Sequence, residues 1–427
     1  MRKCRIFILF VTGLVTWAST TIASESLVAT NLTLTTALQF ALRDNAELKS
    51  LRAKWEAMQE RPAQAGALPN PMFTYSGMDM ASGGTWPNTG EKRFMVQQEF
   101  PWLDKRGLRE GIAAKDAETM QRELEVMTLD VVMMVKESYF DLFAVQRVIA
   151  ITREEESVIR RLVKVAETMY ATGDRSQVDV LKAQSEITML KQKLLETQTQ
   201  ENTLKAKLNT LLNRRADAPI GTAITPPETG FGGNMETLFN MAVTNRPEVQ
   251  AAQTQIERYE LEKDLMKKEF MPDYKLGLEY RDIAASDNMV MFSVSVDLPI
   301  RRAKYRAGVR EAEKMRASSE AALESAKRRS ALDVQDAHFK WVTAQRTLTL
   351  YRAELIPQAV ARFNASEAGY RTGKVDFMDL LESERFMLGA KMMAAMTEGA
   401  VGMQAARLER AVGASLPSNG TTKGNEK

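Results

Sequence analysis

Two hydrophobic periodicities alternate along this chain and divide it into long helices and short strands. Between residues 105 and 168, apolar side chains recur every three or four positions and no proline occurs. This narrow apolar stripe is typical of a coiled-coil helix, which would be about 96 Å long at 1.5 Å per residue. The stripe is formed by Leu124, Met127, Val131, Met134, Leu142, Val145 and Ile149. The pattern therefore predicts one helix that is far too long for a compact domain.

The same spacing predicts four further helices, over residues 34–65, 176–213, 302–369 and 376–413. The first two of these together have about the length of the helix at 105–168. They are therefore expected to stack end to end beside it. Pro357 lies inside the helix predicted at 302–369, where it is expected to interrupt and kink the helix.

Four segments of about ten residues instead alternate between apolar and polar positions, which is typical of strands with one face in lipid. They cover residues 72–81, 91–101, 273–282 and 289–299. In the third segment, every second position from Tyr274 to Tyr280 is apolar. A surface hairpin of a soluble protein is the alternative for these strands alone. Four strands cannot close a barrel, and lipid tolerates no open strand edge. If these strands span a membrane, several chains must therefore contribute strands to one barrel.

This order of helices and strands occurs twice, and an internal repeat outweighs other arguments about the fold. Residues 34–213 align with residues 235–413 at a nearly constant shift of about 200 positions. The Tyr-Ala-Thr-Gly at 170–173 falls on the Tyr-Arg-Thr-Gly at 370–373, and three other landmarks match in the same order. The chain is therefore predicted to be a tandem pair of similar units.

The first 23 residues have the features of a secretory signal: a basic start, an apolar run from Ile6 to Ala18, and small residues up to Ala23. An uncleaved anchor is the alternative, although the run is too short to span a bilayer comfortably. The predicted organisation is a signal peptide at 1–23, a first copy at 24–213, a linker or small equatorial layer at 214–234, a second copy at 235–413 and a disordered tail at 414–427.

Composition then narrows the possible functions. The chain has one Cys, Cys4 in the predicted signal, and one His, His338. A disulfide framework, a Cys/His zinc site and a Cys-His or Ser-His-Asp catalytic site therefore lack the necessary residues, and no cofactor is expected. The net charge of +3 gives no electrostatic reason to expect nucleic acid binding. A secreted enzyme would need convergent polar residues, and the sequence contains no such constellation.

Over residues 32–413, the sequence resembles the outer membrane efflux (TolC) family. The resemblance is carried by the tandem copies, by Ala-Leu-Pro-Asn-Pro at 67–71, by residues 97–102, and by the two Tyr-x-Thr-Gly turns followed by Asp-[Val/Leu]-Leu. It implies a mainly α chain with a membrane β-barrel portion. Each protomer would contribute four strands to a trimeric, twelve-stranded barrel in outer membrane lipid, continuous with a long α-helical coiled-coil barrel in the periplasm.

The resemblance also implies a function and partners. The homotrimer would be the exit duct of a tripartite system, docking on a periplasmic adaptor and an inner-membrane pump and exporting solutes passively. A multidrug or type I secretion duct and a soluble periplasmic coiled-coil adaptor are the alternatives. An adaptor should have one helical hairpin flanked by lipoyl-like and β-barrel modules rather than tandem copies.

Site residues are carried over by position. Asp379 and Glu382 match a paired acidic ring at the pore entrance and, three residues apart, share one helix face. Asp179 and Tyr370 match contacts that hold the entrance closed. The docking tips for the adaptor correspond to Thr172, Gly173, Asp174, Thr372, Gly373 and Lys374. The sequence departs from the family at Val375 and Lys374, where some members have an Arg in a second lock.

The 25 Met residues are mostly explained by the use of Met as a helix former and flexible core filler. A metal cargo is the other interpretation, because thioethers suit Cu(I) and Ag(I). Met72, Met78 and Met80 are the candidates, since alternation with Phe73 and Tyr75 should turn them towards the lumen. No dedicated metal site is expected. The turn at 100–106 resembles the heavy-metal branch of the family more than the multidrug branch, so heavy-metal cations are the expected solutes.

Overall fold

The computed structural model describes residues 31–78, 90–224, 234–283 and 287–416. The predicted signal peptide, Met80 and residues 417–427 of the predicted tail lie outside the described residues. The first copy contains β1 (Asn31–Leu32), α1 (Leu34–Asp44), α2 (Ala46–Gln59), α3 (Arg61–Gly66), β2 (Met72–Met78), β3 (Glu91–Phe100), α4 (Lys105–Ala171) and α5 (Gln177–Leu211). Strand β4 (Thr222–Ala223) lies in the segment between the copies. The second copy contains α6 (Met235–Asn245), α7 (Pro247–Lys268), β5 (Asp273–Ile283), β6 (Met289–Asp297), α8 (Arg302–Leu350), a π-helical turn (Tyr351–Leu355), α9 (Ile356–Arg371) and α10 (Phe377–Val412).

Helix α4 is the central element of the chain, a single helix of 67 residues. It contacts α1 to α3 and α7 along one part of its length and α5 and α10 along the other. The short helices of the first copy therefore follow one another beside the long one. Helix α10 lies so close to α4 that a β-carbon added at Gly402 would collide with the ring of Phe140. Within the described ranges, none of the helices has the length and apolar character needed to cross a membrane.

Two of the predicted helices are broken. The prediction of one helix over 34–65 is wrong, because the Asn45 side chain accepts hydrogen bonds from Glu47 N (3.0 Å) and Leu48 N (3.1 Å) and so caps a new helix. Pro62 then lies in the first turn of α3, where its missing N–H is tolerated. The expected interruption at Pro357 is confirmed, and it takes the form of a widened π turn just before the proline.

The four long strands form one antiparallel sheet in the order β2-β3-β5-β6. The two copies meet at β3 and β5, where Phe94 pairs with Tyr280. One face of the sheet is apolar and uncovered, and Val290 and Phe292 on it are each 67% exposed. The opposite face carries charged side chains, among them Glu279. Strands β2 and β6 each have one edge that no described strand of this chain pairs with.

A buried lysine joins this sheet to the helices. The side chain of Lys105 at the start of α4 is 1% exposed, and its Nζ lies 3.0 Å from Asp273 Oδ1 and 3.1 Å from Met271 O. The backbone N–H of Trp102 donates to the same Asp273 oxygen at 2.6 Å. Because a buried ammonium must be paired, these contacts fix the direction in which α4 leaves the sheet.

The segment between the copies pairs with the first residues that the structure describes. Strand β4 pairs in parallel with β1, Asn31 with Thr222. The buried hydroxyl of Tyr139 on α4 lies 2.9 Å from the carbonyl oxygen of Leu32 and 2.7 Å from that of Ile224, so it can donate to either. This small layer covers an apolar core against the middle of α4.

Candidate functional site at the helical tips

Two turns of the same geometry end the helical hairpins, one between α4 and α5 and one between α9 and α10. Gly173 and Gly373 have φ of 78° and 79°, a left-handed conformation that glycine adopts without steric cost. Their N–H groups donate to Tyr170 O at 3.0 Å and to Tyr370 O at 3.1 Å. These bonds satisfy carbonyls at the ends of α4 and α9. The repeat in the sequence is thus a repeat in backbone geometry.

The tips are polar and open to solvent. All six residues predicted to dock an adaptor are exposed: Thr172, Gly173, Asp174, Thr372, Gly373 and Lys374. Ser176 caps α5 by accepting from Val178 N at 3.2 Å, and Asp376 caps α10 by accepting from Asp379 N at 2.8 Å. A groove of about 460 Å³ lies between the two tips, bordered by Arg175.

The structure brings Asp179 and Tyr370 together. The Tyr370 side chain is fully buried, and its hydroxyl lies 3.4 Å from Asp179 Oδ2. Burial first, and then the nearby Asp179 carboxylate, raise the pKa of Tyr370 to about 12. The hydroxyl is therefore protonated at neutral pH and is the donor of this contact. It connects α9 of the second hairpin to α5 of the first.

Arg175 is a residue of this site that the sequence reasoning missed. Its guanidinium carbon lies 5.1 Å from the centre of the Tyr370 ring, and its Nη2 donates to Val375 O at 3.0 Å. Both contacts cross from the first turn to the second hairpin. The sequence does contain a signal for Arg175, because the two copies differ at this position: Val375 of the second copy aligns with Arg175 of the first. Val375 itself packs so tightly on Gly369 that a β-carbon there would collide with it.

The two predicted acidic residues lie on an exposed face near the start of α10. The structure adds a partner to this pair, because Glu382 Oε1 accepts from Arg362 Nη2 of α9 at 3.2 Å. The Glu382 side chain is 71% exposed, so this ion pair is strongly screened by water. Asp379 is also exposed. The Arg362 guanidinium further lies over the Phe386 ring, 5.3 Å from its centre.

The two methionine candidates that the structure describes, Met72 and Met78, lie on β2 rather than at the tips. Met72 is 52% exposed and pairs in register with Gln97, while Met78 pairs with Glu91. Met78 follows Met72 by six positions along an extended strand, which separates them by roughly 20 Å, so they cannot ligate one ion within a single chain. In the parts of the chain that the structure describes, no group of three or more His, Cys, Asp or Glu residues could hold a metal ion.

Comparison with known proteins places the chain in a family. The family model for outer membrane efflux proteins matches residues 37–214 and 238–414, one stretch in each copy. The cobalt-zinc-cadmium resistance protein CzcC of Cupriavidus metallidurans is 23% identical over 373 residues, which cover 84% of this chain and 85% of that protein.

Solved structures share the fold at low identity. CusC has a TM-score of 0.77 at 16% identity, covering 89% of this chain and 92% of CusC. VceC of Vibrio cholerae has a TM-score of 0.74 at 17% identity, covering 90% of this chain and 97% of VceC. Members of the matched family are channels rather than enzymes. The chain belongs to the outer membrane efflux protein family and is an export channel of the outer membrane that extends into the periplasm.

Proposed function

We propose that three copies of this chain form the exit duct of a tripartite efflux system. The sheet is the observation that carries this proposal. Its outer face is apolar, its other face is charged, and strands β2 and β6 each leave an edge unpaired within the described chain. Lipid tolerates no open strand edge, so β2 of one copy would pair with β6 of the next. Three copies would then supply the twelve strands of a closed barrel.

The tips would form a closed periplasmic entrance that an adaptor opens. Arg175, Asp179 and Tyr370 link the two hairpins of one chain and would hold them together. The exposed turns at Gly173 and Gly373 would dock the adaptor, and the inner-membrane pump would deliver the solute. Around the entrance, three copies of Asp379 and Glu382 would create a negative field that favours cations.

Heavy-metal cations are the proposed solutes. The relationship to CzcC, which is named for cobalt, zinc and cadmium resistance, supports this choice over drugs or proteins. The acidic residues of the entrance suit any cation, and the thioether of Met72 suits softer ones. A multidrug or type I secretion duct remains the second candidate, because the fold itself does not select the cargo.

Deleting the gene tests the cargo. We expect a several-fold fall in the inhibitory concentrations of cobalt, zinc and cadmium, or of copper and silver, with unchanged tolerance of dyes and detergents. A plasmid copy of the wild-type gene should restore metal tolerance, which excludes effects on neighbouring genes. Greater sensitivity to dyes and detergents alone would contradict the metal proposal and favour the multidrug duct.

A further inference from the structure

Three buried carboxylates meet where α4, α5 and α10 pack together. Glu155 of α4 and Glu384 of α10 are both 0% exposed, and Glu186 of α5 is 5% exposed. Glu384 lies about two helical turns from the tip of its hairpin. Burying several carboxylates at one place is costly unless each is paired or neutralised. The packing of these helices therefore depends on how the charges are balanced.

Two cations balance two of the three carboxylates. Lys391 Nζ donates to Glu155 Oε1 at 2.5 Å, and Arg385 Nε donates to Glu186 Oε1 at 3.0 Å. Glu384 is left without a cation of its own. Its two carboxyl oxygens are buried and accept no hydrogen bond from any described residue.

A single proton would satisfy this arrangement. Oε2 of Glu155 is also buried and unpartnered among the described residues. A protonated Glu384 could donate its O–H to that oxygen, which would give partners to both side chains at once. The proton would also equalise the buried charges, leaving two carboxylates with two cations. An ionised Glu384 would instead add an uncompensated negative charge between α4 and α10.

We propose that Glu155 and Glu384 form a proton-binding site, and that the proton held there stabilises the packing of α10 against α4. This site lies outside the acidic ring, the turns and the Tyr370 contacts. Its consequence for transport rests on the proposed function, because α4 and α10 carry the tips that would close the entrance. Loss of the proton would then favour separation of the hairpins and opening of the duct.

The direction of the pH dependence follows from the surroundings of Glu384. Burial first, and then the nearby Glu155 and Glu186, raise the pKa of Glu384 to about 8, above its ordinary value of 4.5, while Arg385 opposes them. On α9, Arg362 is paired with Glu382 on the exposed face of α10. Because the pKa of Glu384 is raised, the packed state holds the proton more tightly than the separated state does. The stabilisation that the proton gives to the packed state is fully present below the ordinary pKa of 4.5 and is lost as the pH rises through about 8.

Thermal unfolding of the full-length protein in detergent tests the site. We expect the wild-type Tm to fall by several degrees between about pH 5 and about pH 8.5. Glu384→Gln keeps the shape and a donor for Glu155 but cannot ionise, so its Tm should fall clearly less over the same range. Glu154→Gln, at an exposed neighbour of Glu155, is the matched control and should keep the wild-type slope. Equal slopes in wild type and Glu384→Gln would overturn the proposal.

Infrared spectroscopy of the wild type gives a second readout that needs neither a variant nor a conducting channel. A carbonyl band of a buried protonated carboxyl should be present near pH 6 and disappear as the pH passes about 8. Absence of that band near pH 6 would overturn the proton site even if Glu384→Gln fails to fold. A protein that shows the band but never conducts would contradict only the proposed function.

Discussion

Asp179→Ala combined with Tyr370→Phe should raise the open fraction of the purified channel in planar bilayers. The two changes remove a partly buried hydrogen bond of 3.4 Å that links the hairpins. A hydrogen bond to a charged group contributes about 1.5–3 kcal/mol, so the ratio of open to closed states should rise at least about tenfold. Three copies in a trimer would act together, which makes this the largest effect we expect from a pair of substitutions.

Arg175→Ala should act in the same direction, because it loses both the hydrogen bond to Val375 O and the contact with the Tyr370 ring. Lys374→Ala is the matched control. It removes an exposed cation from the other turn and leaves these contacts intact. Single-channel currents of Asp179→Ala/Tyr370→Phe that equal those of the wild type and of Lys374→Ala would remove the gating role from this pair.

Neutralising the acidic pair should abolish most of the channel's preference for cations. In Asp379→Asn combined with Glu382→Gln, a trimer would lose six carboxylates around one opening, and the focused negative field would vanish. Reversal potentials in a salt gradient should move towards zero. The reversal potential should be measured at low ionic strength, because the Debye length is about 30 Å at 0.01 M and exposed charges then act most strongly.

Arg362→Gln supplies a test of opposite sign. It frees Glu382 from its partner at 3.2 Å and should therefore increase cation preference. Glu196→Gln removes an exposed carboxylate on α5 and is the control for charge elsewhere on the helices. If the double variant shifts the reversal potential no more than Glu196→Gln does, the acidic pair does not line the entrance.

The strands and long helices could be predicted because one-sided burial leaves a period in the sequence. Tyr274 to Tyr280 alternate since one face of β5 is apolar and uncovered, and α4 keeps its stripe because neighbours pack along its length. The breaks at Asn45 and Pro62 depend on a cap and a proline rather than on the period. Both signals are present in the sequence, but the apolar spacing continues through them.

The contacts of the site were harder to predict because they depend on which hairpin lies alongside. Tyr170 and Tyr370 hold the same position in the two copies, yet the first is 48% exposed and the second fully buried. Glu155 lies between Glu154 and Glu156, in a run that reads as a solvated helix face. Tyr370 is buried where α9 meets α10 and Asp179 of α5, and Glu155 is buried where α5 and α10 pack on α4, so only the packing distinguishes the buried member of each set.

Disulfide trapping between the sheet edges tests the assembly of three chains most directly. Cys4 is the one Cys of the chain, so Thr74→Cys on β2 can be combined with Ser293→Cys or Ser295→Cys on β6 in a Cys4→Ser background. Because paired strands bring Cα atoms within disulfide range, oxidation in outer membranes should give a band of trimer mass for at least one combination. Each single-Cys variant should give no trimer. Monomers alone, or a ladder continuing beyond three chains, would contradict a closed trimeric barrel.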